Sequence, residues 1–147
     1  MSYNAFEDCR NLNKVWGNYV LDRPSMSELK ENNVYRLVGF NHILSEELNE
    51  LNEIILKIMK NDYPTSVDTL TDLADWFGDM IVYLIGESAK YGIRVEDVIK
   101  IINDSNRSKL SEEGSVIRNP VTMKVEKGPN YWKPEPKIKE YLQSEMF

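Results

Sequence analysis

The sequence predicts an all-α protein: a four-helix bundle with an extended C-terminal arm, assembled as an oligomer. Three observations carry this. Apolar residues recur at helical spacing through most of residues 3–109. From Asn33 to Asn61 only Gly39 interrupts the pattern, and no proline does. After Gly114 the periodicity is lost, and Pro120, Pro129, Pro134 and Pro136 limit regular structure. The 147 residues, 41% hydrophobic and 29% charged, suit one globular domain spanning 1–147.

The elements follow in order. Ser2 is placed to cap a first helix from about Tyr3 to Val20, with Phe6, Val15, Trp16 and Tyr19 as its apolar contacts. Asp22-Arg23-Pro24-Ser25 marks a loop. The second helix runs over about Asn33–Asn61, and Tyr63-Pro64-Thr65-Ser66 breaks it. A third starts between Pro64 and Asp68, continues to Tyr91 and stops at Gly92, a natural C-terminal cap. The fourth spans about Val95–Ser108, with Glu96 and Asp97 in its first turn. The helical core thus covers about 3–109 and the basic arm 110–147. Within the arm Val116, Ile117, Val121, Met123 and Val125 suggest short strands or extended chain, and Ile138–Gln143 a final helical turn.

Composition removes several function classes. The longest apolar run, Met80–Ile85, is far short of the roughly 20 residues of a membrane span. The first ten residues contain acids and no apolar segment of the signal-peptide kind. A lone cysteine, Cys9, excludes an internal disulfide and a cysteine zinc site, so a reducing cytoplasm is the expected setting and Cys9 a small core residue. One histidine, His42, also expected to be structural, makes Cys–His nucleophilic chemistry improbable. A net charge of −6 argues against nucleic acid as a partner. That charge is uneven: residues 107–139 hold eight basic and four acidic residues, whereas Glu46 to Asp79 hold nine acids against Lys57 and Lys60.

Where those acids fall is the informative point. Projected at 100° per residue, Phe40, Ile43, Leu44, Leu51, Ile54 and Ile58 form one stripe of the second helix, and Glu47 lies within about 20° of its centre. Glu50 sits on the border of the stripe, Glu46 further out, and Glu53 on the polar side. The third helix is apolar nearly all round, from Leu73 and Trp76 to Ile85, which predicts a buried helix. Yet Asp72, Asp75 and Asp79 share one stripe of it. Like charges at that spacing repel, and unpaired buried carboxylates are costly. Cations from the chain are scarce, because residues 43–56 and 61–89 contain no Lys or Arg and Arg36 could neutralise only one acid. Shared protons suit a pair, not a cluster. The third compensation is a hard divalent cation, for which clustered carboxylates are preferred ligands. Packing the two stripes together would gather Glu47, Glu50, Asp75 and Asp79. Mg2+ is the expected ion, with Mn2+ an alternative, because a few carboxylates, waters and a phosphate substrate fit its octahedral habit.

SEELNELNE, DLADWFGDMIVYLIGESAKYGI, SNRSKL and KGPNYWKP, in this order over Arg36 to Pro134, resemble the MazG-like all-α nucleoside triphosphate pyrophosphohydrolases. The resemblance is to the stand-alone phage and bacterial branch related to phosphoribosyl-ATP pyrophosphohydrolase. Glu47 and Glu50 match the ExxE half of the family's metal signature, and Glu46 is the preceding glutamate of EExxE. The ExxD half departs from the pattern: Asp72-Leu73-Ala74-Asp75 keeps the spacing with Asp for Glu, and Asp79 precedes the apolar run. Asp75 and Asp79 are therefore the first candidate ligands there and Asp72 the third.

The resemblance implies Mg2+-dependent hydrolysis of an NTP or dNTP between its α and β phosphates, giving a monophosphate and pyrophosphate. It also implies Glu46 or Glu47 as proton acceptor for the attacking water, and Asn106, Lys109, Lys127 and Tyr131 as contacts to base or phosphate. A homodimer or homotetramer is implied too, in keeping with the apolar excess of the second and third helices. Other readings stay open: a dUTPase, dCTPase or phosphoribosyl-ATP pyrophosphohydrolase, a helical sensor that binds nucleotide or divalent ion without hydrolysis, or a ligand-free structural oligomer.

Overall fold

The computed structural model describes residues 2–60 and 67–147. Among them are five α-helices: α1 Ala5–Val15, α2 Glu31–Lys60, α3 Val67–Lys90, α4 Val95–Arg107 and α5 Pro134–Glu145. The single β-bridge, Arg118 with Val125, leaves the fold all-α. The expected break at 63–66 lies outside the described residues. The described chain groups into two compact units, Met1–Gly92 and Ile93–Phe147.

In the first unit α2 and α3 pack together and α1 lies on α3. The α1 helix is shorter than its apolar pattern suggests, at both ends. Asn4, not Ser2, caps it by accepting from the Glu7 amide at 3.2 Å. At the other end Gly17, at φ +77°, turns the chain, so Trp16 and Tyr19 fall outside the helix and are exposed. A short 3-10 turn, Met26–Leu29, capped by Ser25, leads into α2. The α3 helix stops as expected: Gly92 is at φ +69° and its amide donates to Ala89 O. A Cβ at Gly92 would also lie 2.0 Å from Arg23 O.

The apolar face of α3 is not buried within one chain, which corrects the prediction of a buried helix. Phe77 is 54% exposed and Ile81 55%, and Val82, Tyr83 and Leu84 are also open. On α2 Leu48, Ile55 and Leu56 are exposed as well. Among the described residues the only buried apolar side chains are Ile85, Ala89 and Tyr91, all near the end of α3. A two-helix layer with one helix behind it cannot cover every face of a helix that is apolar all round.

In the second unit α4 packs against α5. Tyr141 on α5 donates to Asp97 on α4 at 2.8 Å, and burial, followed by that hydrogen bond, raises its phenol well above the ordinary value. The arm is more helical than its prolines suggested, since α5 covers three turns instead of one. Pro134 and Pro136 fall in the first turn, where backbone N–H groups have no helical partner to lose. Instead of strands, residues 118–125 form a tight reversal. Asn119 Oδ1 accepts from the Val121 and Thr122 amides at 2.9 Å, and Met123 takes a left-handed φ of 61°.

Candidate metal and phosphate site

Glu47 is where the sequence placed it, on the inner face of α2, and it is 7% exposed. Trp76 of α3 donates its indole N–H to the Glu47 carbonyl at 2.8 Å, which ties the two helices at this level. One carboxylate oxygen, Oε2, is buried without a partner. Among the described residues no ion pair involves it. Arg36 instead forms an ion pair with Glu28 of the 3-10 turn, its guanidinium over the rings of Tyr19 at 5.1 Å and Tyr91 at 5.3 Å. Burial raises the Glu47 carboxyl above the usual carboxylate range, and the negative charges of Glu50, Asp79 and Glu46 raise it further. Tyr83 feels the same field: burial first, then Glu47 and Asp79, push its phenol up.

Below this level α2 and α3 flank a cavity of about 340 Å³, lined by Glu50, Glu53, Ile54, Lys57, Asp72, Asp75, Trp76 and Asp79. Among the described residues that line it, five of eight are carboxylates. The structure therefore brings Glu50, Asp72, Asp75 and Asp79 to one cavity. It differs from the sequence reading in three respects. Glu50, Asp75 and Asp79 are exposed in the single chain and Asp72 is half-buried, so of the five predicted ligands Glu47 alone is buried. Glu53, assigned to the polar side, also lines the cavity. And a cation does reach the cluster: Lys57 Nζ lies 2.6 Å from Asp72 Oδ2. Lys57 stands one residue beyond the stretch found empty of basic residues, and the seven residues from Glu50, close to two turns, bring it back to the same side of α2.

Glu46 is exposed, and so is His42. Cys9 is half-buried and free, its thiol pushed up by burial. The acids of the cavity offer carboxylate oxygens, the chemistry of a hard divalent ion, and the partnerless Glu47 Oε2 is a further oxygen of the same kind. The acids ring a space and do not converge: among the described residues no three His, Cys, Asp or Glu side chains form a ready-made ion cage.

The remaining predicted residues lie in the second unit, around the C-terminal end of α4. Lys109 Nζ donates to Asn106 Oδ1 at 2.9 Å. The segment after Lys127 is latched to the same end: the Gly128 amide donates to Lys109 O at 2.8 Å, and Ser105 Oγ donates to Trp132 O at 2.9 Å. A Cβ on Gly128 would meet Leu110 O at 2.2 Å and Lys109 O at 2.7 Å, so the approach requires glycine. Lys127 lies over the Tyr131 ring, 4.9 Å from its centroid, and Lys137 lies over Trp132 at 3.7 Å. Asn106, Lys109, Lys127 and Tyr131 are thus brought together in one place.

An all-helical chain carrying an acid-lined cavity is the class that fold and site define. Neither a family model nor a curated protein matches it. Solved structures do match. One is the crystal structure of a "putative NTP pyrophosphohydrolase" from Exiguobacterium sp. 255-15, superposing with a TM-score of 0.55 over 99% of this chain and 98% of the other, at 18% identity. The two chains share a fold. Among the described residues no helix is long and apolar enough to cross a membrane.

Proposed function

We propose that the chain is a Mg2+-dependent nucleoside triphosphate pyrophosphohydrolase, converting an NTP or dNTP and water to a monophosphate and pyrophosphate. The observation that carries this is the acid-lined cavity between α2 and α3 with the partnerless Oε2 of Glu47 beside it. The description borne by the Exiguobacterium structure and the sequence resemblance agree with it. Glu47, Glu50, Asp75 and Asp79 would hold Mg2+, with Asp72 as a further ligand once released from Lys57. Bound there, the metal would neutralise phosphate charge and acidify water, with Mn2+ as a substitute. The anhydride between the α and β phosphates breaks, water adds OH to one fragment and a proton to the other, and Glu46 or Glu47 carries that proton. Asn106, Lys109, Lys127 and Tyr131 are proposed as nucleotide contacts on the strength of the resemblance.

The same reading includes self-association. Phe77, Ile81 and Leu84 of α3 and Leu48 and Leu56 of α2 are too many large apolar side chains to leave in water, and a homodimer or homotetramer would cover them. Light scattering at micromolar concentration checks this, and a monomer overturns it. The lone free Cys9 agrees with a reducing, cytoplasmic setting.

Product analysis on a panel of NTPs and dNTPs with Mg2+ tests the activity. Monophosphate and pyrophosphate are expected, and their formation should be lost in Glu50→Gln and Asp79→Asn. Diphosphate and phosphate would refute the bond assignment. Mg2+-dependent stabilisation with no turnover of any nucleotide would favour a sensor.

A further inference from the structure

The acid-lined cavity has a neighbour of different character. A second cavity, about 350 Å³, is lined by Glu53, Leu56, Lys57 and Lys60 from the C-terminal end of α2. The two cavities share Glu53 and Lys57. Along the shared wall the charge therefore changes sign. On one side lie Glu50, Asp72, Asp75 and Asp79, and on the other, among the described residues, Lys57 and Lys60 face the carboxylate of Glu53.

Lys57 and Lys60 are three residues apart on a helix, so their ammonium groups emerge side by side. Lys57 is held at 2.6 Å by Asp72, but its side chain is half-exposed and four single bonds long, so it can swing toward either cavity. Among the described residues no ion pair involves Lys60. A row of carboxylates that collects a divalent cation, continued by a pair of ammonium groups, is complementary to a chain of phosphates. The metal-bearing end takes the phosphate being cut, and the lysines take the phosphates beyond it.

We propose that Lys57 and Lys60 form the pyrophosphate subsite, binding the β and γ phosphates of the substrate and then the leaving pyrophosphate, so that the triphosphate runs along α2 from Glu50 toward Lys60. This rests on the pyrophosphohydrolase reading and gives that site a direction. It also assigns Lys57 two partners in turn, Asp72 in the free chain and a phosphate oxygen in the complex. Asp72 is then released to the metal as substrate arrives.

The test is calorimetric binding of inorganic pyrophosphate and of a nucleoside monophosphate, each with Mg2+, to the full chain and its variants. Lys57→Gln and Lys60→Gln should each weaken pyrophosphate binding about tenfold, the worth of one charge-assisted hydrogen bond. Monophosphate affinity should stay within about twofold, and Lys57→Arg should retain most of the pyrophosphate affinity. Unchanged melting temperatures in the variants would exclude a folding effect. Pyrophosphate affinity that survives both glutamine changes overturns the proposal even if nucleotides are hydrolysed. Equal weakening of both products overturns it as well, since that marks a general charge effect. Loss of pyrophosphate binding in the lysine variants of a chain that hydrolyses no nucleotide would leave the subsite standing and refute the activity.

Discussion

Two glutamates of the first unit are almost equally withdrawn from water, Glu28 at 6% exposure and Glu47 at 7%, and their surroundings are opposite. Glu28 accepts from the Arg36 guanidinium, from Tyr19 Oη at 3.1 Å and from Asn33 Nδ2 at 3.3 Å. The Arg36 hydrogen bond holds its carboxyl below the usual range, against the pull of burial. Glu47 has no ion pair among the described residues, an oxygen without a partner and three acids for neighbours, and its carboxyl is raised. Equal burial therefore does not mean equal purpose. The first carboxylate is fully answered by the chain and fastens the 3-10 turn to α2. The second is left for something the chain does not supply.

The comparison breaks most visibly in catalysis. Glu47→Gln should reduce turnover by about 100-fold or more, as loss of a metal-site carboxylate does. Glu28→Gln should leave the chemistry of the folded fraction intact. If both variants lose activity equally at temperatures where both are folded, the distinction between the two glutamates fails.

Stability should respond in the reverse order. Glu28→Gln leaves Arg36 between two rings without its counter-charge and should lower the melting temperature more than any single change in the acidic cavity. Thermal denaturation of Glu28→Gln, Glu47→Gln and Asp79→Asn under one buffer checks this. Glu47→Gln should be neutral or stabilising without metal, because it removes an uncompensated charge.

Magnesium should act on one glutamate only. Saturating Mg2+ should raise the wild-type melting temperature, with about 2.7 kcal/mol available at a hundredfold excess over the dissociation constant. The increment should vanish in Glu47→Gln and in the Asp75→Asn/Asp79→Asn double variant, and persist in Glu28→Gln.

The smallest effect is on pH dependence. The raised Glu47 carboxyl binds its proton more tightly in the folded chain than in the unfolded one, so its ionisation weakens the fold as pH rises above the ordinary glutamate value. Glu28, lowered, contributes stability that is present above that value and is lost as pH falls. Metal-free melting curves should accordingly gain more with pH above about 4.3 when Glu47 is replaced by Gln, and lose less as pH falls below about 4.3 when Glu28 is.

Much of this was legible in the sequence. Helix periodicity located α2, α3 and α4 to within a few residues and overran the end of α1 by five, and Glu47 stood out because a carboxylate in the middle of an apolar stripe contradicts the pattern around it. What was missed depended on partners. The lysine that answers Asp72 lies three turns from Glu47, and the glutamate that takes Arg36 comes from a four-residue turn with no periodicity to announce it. Glu53 looked solvent-directed because a projection of α2 alone does not include α3, whose Asp72 and Asp75 make that side a cavity wall. The apolar surround of α3 was read as burial, although apolarity specifies only what must be covered and not by which chain. The α5 helix was hidden by its own prolines, which look like breakers until their place in the first turn is known.

The latch at Gly128 has a consequence for how this sequence can vary. Its α-hydrogen faces the carbonyls of Lys109 and Leu110 at a separation that admits no other substituent. Lys127 and Asn130 are exposed and can exchange for other residues at little structural cost. Gly128 cannot, since every missense change there adds a carbon against two backbone oxygens and displaces the whole turn. A saturation library across residues 127–131, selected only for folded protein, should return many amino acids at positions 127 and 130 and a single one at position 128.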